Sequence, residues 1–375
     1  MIGLAHHTPL LTRDAEGLFW MARYLERVEN LARLIDVTQT FESPGREAES
    51  WAALVAINSD QAGLQERGLP IDAPNVKRFY LLDPTSPTGI LYSIEAARTN
   101  ARKLRPLIST EMWMQLNVFH RDLLAIEAWE LDGDALSRLC RRIKEGVQAH
   151  TGITEGTFFR DQGWHFYELG RLIERADQTT RLLDIKYHLL APGTVEERRV
   201  VELTQWNALL RAAAGYHAFR RVAQAGFVPA DVVAFLLGDT SFARSVALCV
   251  GQMEWHFSAL RTRYGLRDTA PVLERIEDLR AALGEPVLRL LPDGLHEFLD
   301  AMQRDLAGLG ELIGTMFFRD WRPLRLSQAS NQGGQWQSQG GQSQNGQTQS
   351  GQSQSQGGQS QSQDGQSQSQ GQATT

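Results

Sequence analysis

Cysteine is nearly absent from this chain. There are two in 375 residues, Cys140 and Cys249, with no CxxC pair and no Cys/His spacing. That gives no basis for a disulfide framework or a cysteine-built zinc site and predicts two reduced core thiols. Long hydrophobic runs are missing as well. The longest, such as VVAFLLG at 232–238, are far too short to cross a bilayer. The opening stretch MIGLAHHTPLLTRDAEG has no basic segment followed by an apolar run, so it does not read as a secretory signal. These absences predict no membrane partner and a cytoplasmic location. Lysine is scarce, no Lys/Arg stripe is present and the formal net charge is −6, so nucleic acid is not an expected partner. Gly-rich phosphate loops, Gly-x-Ser-x-Gly elbows and Cys/His nucleophile patterns are lacking too. The sequence therefore points away from an enzyme, assigns no catalytic residue and implies no cofactor.

What is present is helical periodicity in a chain that is 42% hydrophobic. Sustained two-residue alternation does not occur, nor do Asn-Gly or Asp-Gly hairpins between β-branched runs. The spacing predicts helices over 14–41, 47–66, 74–82, 89–105, 109–129, 133–155, 163–190, 195–225, 229–238, 242–264, 270–283 and 293–318. Breaks such as SPGRE (43–47), DPTSPTG (83–89) and GFVPAD (226–231) supply the Gly, Pro and capping side chains that end and start them. From 327 onward the chain is almost only Gln, Ser and Gly. Such a segment has nothing to bury, which predicts a disordered low-complexity tail over 323–375 beside a helical domain over 1–322.

The strongest signal is repetition. RYLERVENLARLID at 23–36 returns as RLIERADQTTRLLD at 171–184. At an offset of 148, Arg23, Glu26, Arg27, Arg33 and Asp36 fall on Arg171, Glu174, Arg175, Arg181 and Asp184, and Glu29 falls on Asp177. LLDPTS (81–86) likewise matches LLGDTS (236–241) at an offset of 155. This predicts an all-α, internally duplicated helical bundle with two pseudo-symmetric halves, about 10–155 and 160–320.

On a helical wheel with about 100° per residue, Leu18, Met21, Leu25, Val28 and Ala32 make one apolar stripe, and Phe19, Trp20, Tyr24, Leu31 and Ile35 cover much of the rest. A helix apolar nearly all round is a central one. Glu29 and Asp36 nevertheless fall inside the stripe, and Glu26 and Arg33 flank it. Isolated buried charges are very costly, so these must be paired or must line a polar cavity. Within a helix, Arg33 can reach Glu29, Arg181 can reach Asp177, and Arg23 can reach Glu26. Across a pseudo-twofold, Glu26 can meet Arg175 and Glu174 can meet Arg27. The candidate ion-pair or ligand network is thus Arg23, Glu26, Arg27, Glu29, Arg33 and Asp36 with Arg171, Glu174, Arg175, Asp177, Arg181 and Asp184.

A guanidinium left over in this set would suit a carboxylate or phosphate. A metal site is not expected. Di-iron bundles use Glu-x-x-His, whereas here the third residue on is Glu or Asp, and Asp184 with His188 is only one pair. Trp51, Trp113, Trp129, Trp164, Trp206 and Trp255 and His120, His217 and His256 read as packing residues. In the repeated FFRD (158–161 and 317–320) the Phe pair is expected to pack and the Arg-Asp to cap.

At this point the residues reach a family. TRDAEGLFWMARYLERVENLARLID resembles the N-terminus of the alpha-E proteins, a bacterial helical family named for a Glu-Arg motif, and GWHFYELGRLIERADQTTRLLDIKYH resembles its second such helix. SIEAARTNARKLRPLISTEMWMQLN (93–117) resembles the segment between them. The resemblance covers about 10–320 and places the motif at Glu26-Arg27 and Glu174-Arg175. It implies no established activity. Members are often encoded beside ATP-grasp-like and transglutaminase-like proteins, which implies an accessory or scaffold subunit with those enzymes as protein partners in peptide formation or modification. The competing expectation is an enzyme or small-ligand or anion-binding protein with a Glu/Arg-lined cleft between the halves.

Overall fold

A computed structural model describes residues 10–40, 42, 47–188, 195–223, 228–284 and 294–318, the side chains at 186–188 and 195–202 excepted. Two long helices run through its centre. The first, α1 (Thr12–Thr40), is rich in Leu, Ala, Glu and Arg, residues of high helix propensity, and has no proline. The second, α8 (Gln162–His188), starts where Asp161 turns back to accept hydrogen bonds from the amides of Gly163 (2.8 Å) and Trp164 (3.4 Å). These two pack on each other more extensively than any other pair. Their contact is close at Gly170: a Cβ there would sit 2.1 Å from the Phe19 carbonyl oxygen, so any side chain would push the helices apart.

After α1 come α2 (Glu47–Ile57), α3 (Gln61–Glu66), α4 (Ala73–Leu81), α5 (Ile90–Lys103), α6 (Thr110–Leu124), a 3-10 turn (Ala128–Leu131) and α7 (Gly133–Thr157). After α8 come α9 (Val195–Ala212), α10 (Tyr216–Val222), α11 (Pro229–Gly238), α12 (Val246–Tyr264), α13 (Ala270–Ala282) and α14 (Leu295–Phe317). Among the described residues there is no strand. α5 and α7 flank α1, while α12 and α14 flank α8. The capping logic is local: Ser109 accepts from the amide of Met112 and Ser245 from that of Leu248, each at 3.1 Å. α12 ends at Gly265, whose φ of +67° favours glycine.

Several boundaries differ from the sequence expectation. The helix expected over 47–66 breaks at Ser59, which adopts a left-handed φ of +57°. The one expected over 195–225 breaks at Ala214, φ +58°. The segment expected to end at 129 stops as α-helix at Leu124. The helix expected from 242 starts at Val246, because Asp239 first holds the amides of Ser241 and Phe242 in a turn.

The core is continuous around the two central helices. Trp51, Tyr80, Phe19, Phe79, Phe219 and Phe257 are fully buried, as are the unpaired thiols of Cys140 and Cys249. Trp164 and Trp206 are buried, but Trp129 and Trp255 are 65% and 54% exposed and do not belong to the core. His120 and His256 are buried, while His217 is exposed. Phe158, Phe317 and Phe318 pack, yet Phe159 is 70% exposed, because the chain turns there toward α8. Arg319 and Asp320 lie outside the described residues. No described helix is long and apolar enough to cross a membrane.

Candidate functional site

The Glu-Arg dipeptides of α1 and α8 face one another. Arg27 donates from Nε and Nη2 to the two carboxylate oxygens of Glu174, at 2.7 and 3.1 Å. Reciprocally, Arg175 donates from Nε and Nη2 to the two oxygens of Glu26, both at 2.8 Å. Bidentate, charge-assisted pairs of this kind are roughly twice as strong as neutral hydrogen bonds. Both acids are buried, with 2% of Glu26 and 1% of Glu174 exposed. Arg23 adds a 2.9 Å bond to Glu174 and stacks over Trp20, 4.7 Å from the ring centre. It does not pair with Glu26 on its own helix, as the i,i+3 spacing suggested, because the partner helix offers the better acceptor.

One helical turn further on, each helix repeats a second device. Arg33 bonds Glu29 (2.5 Å from Nη2) and donates from Nη1 to the carbonyl of Ala212 at 2.5 Å. Arg181 bonds Asp177 (2.8 Å from Nε) and donates from Nη1 to the carbonyl of Ile57, also at 2.5 Å. These arginines close the C-terminal ends of α9 and α2, where carbonyls lack partners within the helix. Asp36 binds Lys144 of α7 and Asp184 binds His296 of α14, each at 2.7 Å. Arg171 pairs with Glu168, one turn back on the same helix.

The sequence offered little sign of one member. Arg244, in the loop before α12, reaches into the centre and donates to Glu26 (3.1 Å), Asn30 (2.9 Å) and Glu29 (2.6 Å). Gln148 of α7 adds a bond to Glu29 at 3.1 Å. Glu168, Asn30, Lys144 and His296 were likewise outside the expected set.

Burial by itself would raise the carboxyl pKa of every acid here. For Glu26 that effect is outweighed by Arg175 and Arg244, which hold it far below the usual range. Glu174 is brought down to about 2 by Arg27 and Arg23. Glu29 is lowered by Arg244 and Arg33 against its own burial. Asp60 behaves in the opposite way: burial dominates and raises it, although Thr88 and Tyr80 donate to it at 2.8 and 2.9 Å.

A cavity of about 590 Å³ runs along α1 past Arg13, Trp20, Tyr24, Asn100 and Lys103. It contains none of the motif acids. A narrow cleft of about 30 Å³ enters the charged cluster itself, between Arg23, Arg27, Asn58, Thr88, Asp177 and Arg181. Asp184, His296 and Asp300 bring donor atoms within 4.8 Å of one another. However, His296 commits Nδ1 to Asp184 and turns Nε2 toward Asp300 at 3.8 Å. Asp184, and more weakly Asp300, raise the His296 pKa against the effect of burial. The side chain of His188 lies outside the described residues.

Fold and site together define an all-helical protein centred on two Glu-Arg helices that neutralise each other. The chain belongs to the Alpha-E family, whose model, described as a predicted alpha-helical domain with a conserved ER motif, matches residues 10–318. Uncharacterised proteins of Mycobacterium bovis and Mycobacterium tuberculosis are similar at 26% identity, in alignments that cover 79% of this chain. The chain spans about a third, 34%, of the length of those curated relatives. No solved structure matches it.

Proposed function

We propose that this chain is a non-catalytic helical accessory or scaffold subunit. In this reading it works beside ATP-grasp-like and transglutaminase-like enzymes in peptide formation or modification. The observation that carries it is the commitment of the motif: Glu26, Glu29, Glu174 and Asp177 are each bound by arginine, and the Arg175–Glu26 and Arg27–Glu174 pairs clamp α1 to α8. The reading also draws support from the relatives, in which the matched segment is a minor part of a longer chain. Met114 and Val118, exposed one turn apart on α6, offer a partner apolar contact. Co-purification from the native host at native expression tests this. Recovery of an enzyme of either class supports it, with loss of that enzyme in Met114→Glu/Val118→Glu; recovery of the chain alone counts against it.

We also infer that the clamp descends from an internal duplication. Supporting it are the reciprocal Arg27–Glu174 and Arg175–Glu26 pairs and the matching bonds of Arg33 and Arg181 to helix C-termini. A relative whose α1, α5 and α7 failed to superpose on α8, α12 and α14 would remove it.

A further inference from the structure

The two sides of the charged cluster are filled differently. Arg244 stands one residue before Ser245, the N-cap of α12, and Thr88 stands one residue before Gly89, the N-cap of α5. On the α12 side the long guanidinium of Arg244 enters the cluster, and the space left beside Arg33, Asn30 and Gln178 is about 10 Å³. On the α5 side the short Thr88 turns its hydroxyl away to Asp60, and about 30 Å³ stays open beside Arg27, Arg181 and Asn58. Arg27 lines that space. Its Nε and Nη2 are bound to Glu174, but its Nη1 is buried and has no hydrogen-bond partner. A buried guanidinium nitrogen without an acceptor is costly. The surrounding charge has the same sign: Arg23, Arg27, Arg33, Arg171, Arg175, Arg181 and Arg244 face the carboxylates of Glu26, Glu29, Glu168, Glu174 and Asp177. Counting Asp60 behind Thr88 as a sixth acid, and setting aside Asp36 and Asp184, which pair with Lys144 and His296, leaves one guanidinium in excess.

We propose that the cleft between Arg27, Arg181, Asn58 and Thr88 is a binding site for a single small monovalent anion, no larger than one carboxylate group. Arg27 Nη1 is its principal donor. The cleft exceeds the space one water needs and has no room for a bulky divalent oxyanion. A halide and a carboxylate end share the required chemistry, and this inference does not depend on which enzymes the chain accompanies.

The test uses the full chain in thermal denaturation at matched ionic strength, with sodium chloride, sodium formate and sodium sulfate compared. Chloride or formate raises Tm along a saturating curve, by about 2–4 °C at roughly tenfold its Kd, whereas sulfate, excluded from protein surfaces, gives only a non-saturating rise. The tighter of the two titrations identifies halide or carboxylate as the source. Thr88→Arg places in the cleft the group that Arg244 supplies opposite, and abolishes the response. A wild-type crystal soaked in bromide decides the matter independently should that variant not fold: an anomalous peak in hydrogen-bonding range of Arg27 Nη1 is expected. Absence of a saturable rise in both chloride and formate, a response retained in folded Thr88→Arg, or water alone at Arg27 Nη1 would overturn the proposal.

Discussion

Glu174 accepts from two arginines of the opposite motif helix and is almost fully buried, so it is the residue at which the clamp is most exposed to damage. Glu174→Gln leaves Arg23 and Arg27 facing a neutral amide. Breaking a buried pair in this way costs on the order of 3–5 kcal/mol, and urea denaturation should show a loss of that size. Acid should act through the same residue. Its folded pKa is about 2, below the ordinary 4.5, so its stabilisation is complete above pH 4.5 and is lost as pH falls from 4.5 toward 2. A second acid-sensitive element lies between α8 and α12, where His165 and His256 meet in a 2.9 Å Nδ1–Nδ1 hydrogen bond. Burial lowers their pKa values to about 4 and about 3, with Arg263 acting on the first, and His165 itself and Arg171 acting on the second. The unfolded chain takes up protons below 6.5 before the folded one does, so stability declines from pH 6.5 downward. In His256→Gln, which keeps a hydrogen-bonding partner but does not titrate, the fall in Tm between pH 6.5 and 4 should be visibly shallower.

At the scale of the helix, the contact of α8 on α1 at Gly170 is the tightest constraint. Gly170→Ala puts a methyl against the Phe19 carbonyl, and the helices must separate or the backbone must shift. Overpacking of this kind costs about 1–3 kcal/mol and occasionally more, and with a rigid backbone opposite the upper part of that range is expected in chemical denaturation. Elements differ in how far they could be read from sequence. The central helices announce themselves, because an all-round apolar pattern and repeated charges lie within single segments. The breaks at Ser59 and Ala214 do not, because left-handed non-glycine residues leave only a weak local signal. The Glu26–Arg175 and Glu174–Arg27 contacts could be written down from the repeat alone. Arg244 could not: it lies 215 residues from Glu29 in sequence, in a loop, and only the packed fold brings it to the acids.

Over the whole molecule, stability should reside in the helical part. Beyond residue 322 the chain has few apolar side chains to bury: Leu324, Leu326, Ala329, Trp336 and Ala373. Truncation after residue 322 should therefore leave Tm within about 1 °C of the full chain, and a larger loss in differential scanning calorimetry would give that segment a structural role. The claim on which the rest depends is that α1 and α8 are joined by mutual neutralisation in a dry interior. A double-mutant cycle of Arg27→Met and Glu174→Gln in urea denaturation tests it most directly. Mutual neutralisation predicts that each single change is costly and that the double mutant recovers about 2–3 kcal/mol relative to their sum. Strict additivity, with coupling near zero, would contradict it.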